Sequence, residues 1–187
     1  MRIISGTHKG RRLTAPKNLP VRPTTDFAKE ALFNILRTRL YFDEIKVLEL
    51  YAGTGNISFE FASRGVPTII SVDSNLGCVQ YIHKISEEFS FPIKAIKSEA
   101  INYLNRASDK FDIVFADPPY EFEISQFENI IKLVFEKNIL EEEGMLIIEH
   151  SKENDLSVLP HYSEARKYGG SVFSFFNNEE EDKNQES

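Results

Sequence analysis

Asp117, Pro118, Pro119 and Tyr120 form the stretch of this sequence that is best equipped for chemistry. A carboxylate and a backbone carbonyl can accept hydrogen bonds, and a tyrosine ring offers a flat surface on which a planar group can stack. Proline has no amide hydrogen for a sheet ladder, so the apolar run 111–116 must end as a strand at this point. In open α/β sheets, ligands bind in the crevice outside the carboxyl ends of the strands. The stretch therefore predicts a site for a planar ring that carries an amino group.

The predicted chemistry is transfer of a group to the exocyclic amine of a nucleobase. Such an amine is a weak nucleophile because its lone pair is delocalised into the ring. Two acceptors, one for each N–H, favour a pyramidal nitrogen, and the candidates are the Asp117 carboxylate and the Pro118 carbonyl. Tyr120 would stack on the base, an interaction worth about 1–3 kcal/mol. We predict Asp117, Pro118 and Tyr120 as catalytic residues, with a simple tight turn as the alternative.

A second candidate site is the glycine-rich turn Ala-Gly-Thr-Gly-Asn at 52–56, between a predicted strand at 47–51 and a predicted helix at 57–64. Small residues let a ligand approach the backbone where the helix begins. A phosphate-binding P-loop would need Gly-Lys-Ser/Thr, which is absent. A dinucleotide fingerprint would need a third Gly or Ala where this chain has Ser58, although Asp73 lies near the expected acidic position.

The carboxylates around this turn favour S-adenosylmethionine over NAD. Glu49 would repel a pyrophosphate, but it suits a cofactor with a cationic amino group and a sulfonium. Asp73 follows the second predicted strand and would accept hydrogen bonds from both ribose hydroxyls. Glu99 follows the third strand and could contact adenine, with helix capping as the alternative. We predict a cofactor site formed by Glu49, Gly53, Gly55, Asp73, Glu99 and Ala100.

The elements that must position these residues alternate between strands and helices from residue 46 to residue 149. This order predicts an α/β, Rossmann-like fold with right-handed crossovers and a mostly parallel sheet that helices cover on both faces. Two further strands, at 163–168 and 171–176, read as a hairpin that completes the sheet. Before residue 23 we expect a small basic β-hairpin, and a helix capped by Thr25 or Asp26 follows.

Charge divides the chain into three predicted parts. Residues 1–40 hold nine Lys/Arg and two Asp/Glu, a net charge of +7 in a chain whose formal net charge is −7. We predict that 1–40 form a basic extension on which a phosphate backbone could dock, with Arg11 and Arg12 among its cations. Residues 41–176 would form the catalytic domain. Residues 177–187 lack apolar anchors and are predicted to be a disordered acidic tail.

Composition narrows the protein class further. The chain has 187 residues, 41% of them apolar and 27% charged, which suits one soluble domain with a real core. Its apolar runs are far shorter than the roughly 20 residues of a membrane helix, and we see no secretory signal. The lone cysteine, Cys78, suits a reducing cytoplasm, and we expect a cytoplasmic monomer that contacts no membrane. The four histidines show no metal-ligand spacing, so no metal site is predicted.

The motif at 117–120 resembles that of class I S-adenosylmethionine-dependent methyltransferases that act on amino groups. A longer pattern is similar to the bacterial RsmD family of 16S rRNA guanine-N2 methyltransferases. It consists of Arg-Ile-Ile-Ser-Gly at 2–6, Gly-Arg-Arg-Leu at 10–13, Arg-Pro-Thr-Thr-Asp at 22–26 and Lys-Glu-Ala-Leu-Phe-Asn-Ile-Leu at 29–36. The resemblance covers about residues 1–176. It implies a seven-stranded sheet whose last strand is antiparallel, and a small ribosomal subunit or its assembly intermediate as the partner.

The resemblance also implies that one methyl group is placed on N2 of a specific guanine. It further implies that the 1–40 extension contacts RNA, and that the substrate is bound by Arg11, Arg12, Arg22, Thr24 and Asp26, the last three close to the mouth of the active site. The chain departs from the family pattern at Phe27, Ser58 and Glu99. Three alternatives stay open at this stage. These are an N-methyltransferase acting on DNA adenine or a protein amide, an NAD-dependent oxidoreductase, and a ribosome-binding module without catalysis.

Overall fold

The computed structural model describes residues 1–22 and 24–178. These residues form seven strands. The first five alternate with helices along the chain, and the last two form an antiparallel pair. The strands are β1 Lys46–Leu50, β2 Thr68–Asp73, β3 Ile93–Lys97, β4 Phe111–Ala116, β5 Leu140–Ser151, β6 Tyr162–Tyr168 and β7 Ser171–Asn177. The helices are α1 Asp26–Arg37, α2 Asn56–Ser63, α3 Leu76–Phe89, α4 Ala100–Arg106 and α5 Ile124–Glu136, with a 3₁₀ turn at Phe42–Glu44. None of the helices in these residues is long and apolar enough to cross a membrane.

The strands form one sheet in the order β3-β2-β1-β4-β5-β7-β6. Strands β1 to β5 are parallel, whereas β7 runs antiparallel to both β5 and β6. The order reverses between β1 and β4, so the crevice between their carboxyl ends is the position where open α/β sheets bind ligands. The predicted α/β, Rossmann-like fold with a mostly parallel seven-stranded sheet is confirmed.

Two apolar layers hold the sheet, one on each face. Helices α1, α2 and α3 pack on the face that carries Val47, Phe115 and Ile147. Helices α4 and α5 pack on the opposite face, against Leu48 and Val114. Successive side chains of a strand point to opposite faces of the sheet. The position of a residue along its strand therefore decides which of the two layers it packs in.

The N-terminal hairpin is anchored by two buried charges rather than by a long ladder. A single antiparallel β-bridge, between Arg2 and Arg12, forms where the sequence predicted a small basic β-hairpin. The Glu60 side chain on α2 accepts hydrogen bonds from the Ile4 and Ser5 amides at 2.9 and 3.0 Å. The Lys29 ammonium on α1 lies 3.4 Å from Glu60, and both side chains are almost fully buried.

The structure fixes the ends of several predicted segments. Thr25 caps α1 and accepts the Ala28 amide hydrogen at 3.2 Å. Strand β5 begins at Leu140, before the apolar run 145–148, and its register against β4 shifts between Phe111 and Ile113. The predicted tail at 177–187 overlaps β7 at Asn177, and its residues 179–187 lie outside the described residues. The division of the chain at residues 40 and 41 stays a prediction.

Candidate active site

A cavity of about 750 Å³ opens at the carboxyl ends of β1, β2 and β4. Its wall combines strand ends, the glycine-rich turn, the start of α3 and the segment that leads into α1. The predicted site residues that line it are Glu49, Gly53, Asp73, Asp117, Pro118, Tyr120, Arg22 and Thr24. The two stretches on which the sequence analysis depended therefore meet in one crevice.

Three acidic residues reach this region from neighbouring strands. Glu49 lies on β1, Asp117 directly follows β4, and Glu149 lies near the end of β5. In the strand register Glu49 pairs with Phe115, and Ile148 pairs with Ala116, so Asp117 and Glu149 occupy adjacent positions. The alternation of side chains places all three on the sheet face that α1, α2 and α3 cover.

Glu49 is 2% exposed and is held by the helix that follows the turn. The Ser58 amide donates a hydrogen bond to Glu49 Oε2 at 3.0 Å, and the Ser58 hydroxyl donates a second one to the same oxygen. Burial raises the pKa of Glu49 to about 8 against the opposing effect of these hydrogen bonds. Ser58, a departure from the family pattern, thus fixes the carboxylate that the sequence assigned to a cofactor.

The raised pKa of Glu49 predicts a pH-dependent stability. Its pKa is 4.5 in the unfolded chain and about 8 in the folded protein, so between these values the folded state retains a proton that the unfolded state has lost. The stabilisation is fully present below pH 4.5 and is lost as the pH rises through 8. We expect Glu49→Gln to match the wild type near pH 5 and to exceed it at pH 9 by at most about 5 kcal/mol in the free energy of unfolding.

Urea unfolding at a series of pH values measures this difference. Glutamine can still accept the Ser58 hydrogen bonds through its amide oxygen, so the variant should fold. The matched control is Glu44→Gln, because Glu44 is exposed on the 3₁₀ turn. Parallel stability curves for the wild type and Glu49→Gln up to pH 9 would contradict the prediction.

The glycine-rich turn is built by backbone geometry and by Asp73. The two Asp73 carboxylate oxygens accept the amide hydrogens of Gly53 and Asn75, each at 2.8 Å. Gly55 adopts φ +79° and lies outside the cavity wall, where a Cβ would come within 2.9 Å of Ile82. Gly55 therefore permits the turn and the close approach of α3. Its predicted role in binding a cofactor stays a prediction. Tyr51 also has a positive φ, of 55°, which marks strain beside the cavity.

Asp117 and Tyr120 lie on the opposite side of the crevice. Burial, followed by the nearby Glu149 carboxylate, raises the pKa of Asp117 well above its ordinary value, and the Arg22 charge lowers it. The Arg22 guanidinium carbon lies 3.4 Å from the centroid of the Tyr120 ring, in a cation–π contact. The crevice thus offers hydrogen-bond acceptors and an aromatic ring, which is the equipment needed to clamp a flat ring.

Glu149 is the functional candidate that the sequence reading missed. It is fully buried, and it accepts hydrogen bonds from the hydroxyls of Thr24 at 2.7 Å and Ser171 at 2.9 Å. Burial raises the pKa of Glu149. One signal was available: an acidic residue closes the apolar run 145–148, at the end of a strand next to the strand of Asp117.

The remaining predicted residues lie away from the cavity wall. Glu99 precedes α4 and is near enough to contribute to the raised pKa of Tyr51, while Ala100 is buried in the opposite layer. Asp26 forms an ion pair with Arg2 at 3.2 Å. Arg11 and Arg12 are exposed on the hairpin, with Arg11 5.5 Å from the Phe89 ring. Their predicted roles in binding stay predictions.

The described part of the chain contains no group of three His, Cys, Asp or Glu side chains placed to hold a metal ion. Cys78 is buried at the start of α3, and burial raises the pKa of its thiol to about 11.

Phe27, another departure from the family pattern, is 66% exposed and packs edge-on against Tyr168, with 6.0 Å between the ring centroids.

Comparisons with known proteins agree with this geometry. Residues 1–177 match the family model described as conserved hypothetical protein 95. The ribosomal RNA small subunit methyltransferase D of Escherichia coli (strain K12) is 31% identical over 162 residues, which are 86% of this chain and 79% of that protein. The solved structure of the Escherichia coli protein yhhF is 28% identical with a TM-score of 0.82, and the match covers 94% of this chain and 96% of that one.

A more distant structure shows the same fold with ligands. The Thermus thermophilus 16S rRNA N2 G1207 methyltransferase RsmC, solved with S-adenosylmethionine and guanosine, is 18% identical with a TM-score of 0.68. The match covers 86% of this chain and 45% of RsmC.

Proposed function

The chain belongs to the RsmD family, described as conserved hypothetical protein 95, and is an S-adenosylmethionine-dependent methyltransferase; from this premise we propose that it methylates N2 of a specific guanine in 16S rRNA. The substrate is the small ribosomal subunit or an intermediate of its assembly. This setting makes the enzyme cytoplasmic, and we propose that it works as a monomer.

The observation that carries the proposal is the meeting of the Asp-Pro-Pro-Tyr stretch in one cavity with the glycine-rich turn and the carboxylates of Glu49 and Asp73. Asp73, Gly53 and Glu49 would hold the cofactor. The two Asp73 oxygens are already oriented by backbone amides, and both hydrogen bonds to Glu49 end on Oε2, which leaves Oε1 for a cationic amino group. When bound, S-adenosylmethionine supplies a methyl group activated by a sulfonium. The relative RsmC, of the same fold, is named for a guanine-N2 reaction and was solved with guanosine.

The protein's own residues orient the acceptor. The Asp117 carboxylate and the Pro118 carbonyl each accept a hydrogen bond from one N–H of the amine, and Tyr120 stacks on the base and fixes its plane. Orientation of this kind can lower a barrier by about 7–11 kcal/mol. After transfer the amine is cationic and loses a proton to Asp117 or to water, so strong general-base catalysis is not needed. A guanine inside a helix must first be flipped out of its stack.

The acidic environment of Asp117 predicts the pH dependence of the reaction. Only the ionised carboxylate accepts hydrogen bonds with both oxygens, so the rate should fall as the pH drops through the raised pKa of Asp117. Burial and the Glu149 charge raise that pKa, while Arg22 lowers it and Glu49 raises it further. We expect Glu149→Gln to move the acidic limb of the kcat profile to lower pH. An acidic limb that stays in place would show that Glu149 does not act on Asp117.

The basic hairpin predicts salt-sensitive binding of RNA. Each phosphate contact contributes about 0.7–0.9 to the slope of log affinity against log salt. Neutralising Arg11 and Arg12 together should therefore lower the slope by about 1.5, as measured by filter binding of 16S rRNA from 50 to 300 mM salt. A double variant of the exposed residues Lys132 and Lys137, on and after α5, is the control. An unchanged slope in the Arg11/Arg12 variant would mean that these side chains do not touch RNA.

Methyl transfer with labelled S-adenosylmethionine tests the proposal directly. Purified small subunits, free 16S rRNA, DNA and protein are offered in parallel, from cells that lack this gene. We expect label in small-subunit RNA, in a nucleoside that co-migrates with N2-methylguanosine. Label confined to DNA adenine or to a protein amide would replace the substrate and keep the chemistry.

A further inference from the structure

Arg22 is held at the candidate active site by an aromatic ring. Its guanidinium carbon lies 3.4 Å from the centre of the Tyr120 ring, a distance at which two flat groups are in full stacking contact. Among the described residues Arg22 forms no hydrogen bond and no ion pair, although it lines the cavity together with Asp117. The stacking contact therefore determines where this exposed side chain rests.

A guanidinium and the amino edge of guanine share the properties that this crevice recognises. Both are planar and delocalised, both stack on aromatic rings, and both present N–H donors in their plane. The Arg22 charge lowers the pKa of Asp117 and of Glu149, so it lies where their negative charges are felt. In the RNA-free protein the Arg22 side chain thus supplies the flat face that the base would supply, and its charge partly offsets those of Asp117 and Glu149.

We propose that Arg22 occupies the stacking position of the substrate base in the free enzyme and exchanges the Tyr120 ring for an RNA phosphate when the base enters. This inference rests on the proposed function and names the device by which its site selects polymeric RNA. A free nucleoside must displace Arg22 without offering it a new partner. A nucleotide within RNA brings phosphates, which form strong hydrogen bonds with a guanidinium.

The test compares a ligand without phosphate to one with many. Guanosine and a 16S rRNA transcript are titrated, with S-adenosylhomocysteine present, into the wild type, Arg22→Ala and Arg22→Lys. We expect Arg22→Ala to bind guanosine about three- to thirtyfold more tightly, which is the range set by loss of a cation–π contact. The same variant should bind the transcript more weakly, with a salt slope lower by about 0.7–0.9. Arg22→Lys, which keeps the charge but not the flat group, should also gain affinity for guanosine while keeping most of its affinity for RNA.

Two control variants separate the roles. Lys132→Ala, which removes an exposed lysine of α5, should leave binding of both ligands unchanged. Tyr120→Leu should weaken binding of guanosine, because it removes the ring on which either group stacks. Guanosine affinity that is unchanged or lower in Arg22→Ala would overturn the inference, because the base would then not compete with Arg22.

The inference and the proposed function fail in different ways. A wild-type enzyme that labels no RNA would remove the substrate assignment, while guanosine binding would still report on competition with Arg22. A wild-type enzyme that methylates small subunits, paired with an Arg22→Ala variant of unchanged guanosine affinity, would overturn the exchange alone.

Discussion

Replacement of Asp117 by alanine is expected to lower kcat about 10²- to 10³-fold, the loss found when one preorganised hydrogen-bonding group of an active site is removed. The carboxylate accepts an amine hydrogen and orients the lone pair, so its removal acts on the transition state rather than on binding of the cofactor. Asp117→Asn keeps one acceptor oxygen and should lose less activity. Single-turnover methylation of small subunits measures the rate, and calorimetry with S-adenosylhomocysteine shows whether the cofactor site is intact.

A matched aspartate lies at the other end of the same strand. Asp109 is exposed, precedes β4 and pairs with Lys46 at 3.4 Å, so Asp109→Ala should leave kcat unchanged. A wild-type rate for Asp117→Ala would contradict the proposed hydrogen bond from the amine to Asp117, even if the protein is a genuine methyltransferase. If Asp117→Ala lost cofactor affinity and kcat together, the carboxylate would act on the cofactor side of the cavity.

The second large effect is expected on stability. We expect Lys29→Met to lower the free energy of unfolding by about 3–5 kcal/mol, because it leaves the buried Glu60 charge without one of its two cations. The Lys29 ammonium also donates to the Arg2 carbonyl at 2.5 Å and to Asn56 Oδ1 at 2.8 Å, so two further acceptors lose their donor. Burial lowers the pKa of Lys29. Urea unfolding measures the loss, and amide exchange at Ile4 and Ser5 reports whether the hairpin detaches.

Two variants control this experiment. Lys132→Met removes an exposed lysine that pairs with Glu136 at 4.0 Å, and it should cost less than about 1 kcal/mol. The double variant Lys29→Met/Glu60→Gln removes the orphaned charge and should recover part of the lost stability. Equal losses for Lys29→Met and Lys132→Met would show that the buried pair does not hold the hairpin.

The parts of the fold that the sequence predicted are those that depend on local pattern. Proline at 118 and 119 fixed the end of β4, and glycine after β1 marked the turn into α2. The order of strands and helices then decided the parallel sheet, since crossovers have one hand. Asp73 and Asp117 were found because each stands at the end of an apolar run, and Glu49 because it interrupts one; a polar residue is conspicuous in both positions.

The features that the sequence did not reveal depend on contacts between distant segments. In the sequence, Glu149 is only the polar residue that follows an apolar run. Its proximity to Asp117 becomes evident only when β5 lies beside β4. Glu60 and Lys29 read as ordinary polar residues of helices, and only the tertiary packing brings them together in the core. The contact between Arg22 and Tyr120 joins residues 98 positions apart in sequence, so no spacing rule predicts it.

The Glu149 carboxylate joins Thr24 at the start of the chain to Ser171 at the first residue of the last strand. Translation delivers these partners in order, so a growing polypeptide exposes its Arg-Pro-Thr-Thr-Asp segment long before β7 has been made. Until Ser171 leaves the exit tunnel, Glu149 lacks one of its hydroxyl donors and the neighbouring Asp117 lacks its final surroundings. The protein is thus expected to acquire activity only after β7 has been synthesised, and a nascent chain that has not yet reached Ser171 would not modify the particles around it.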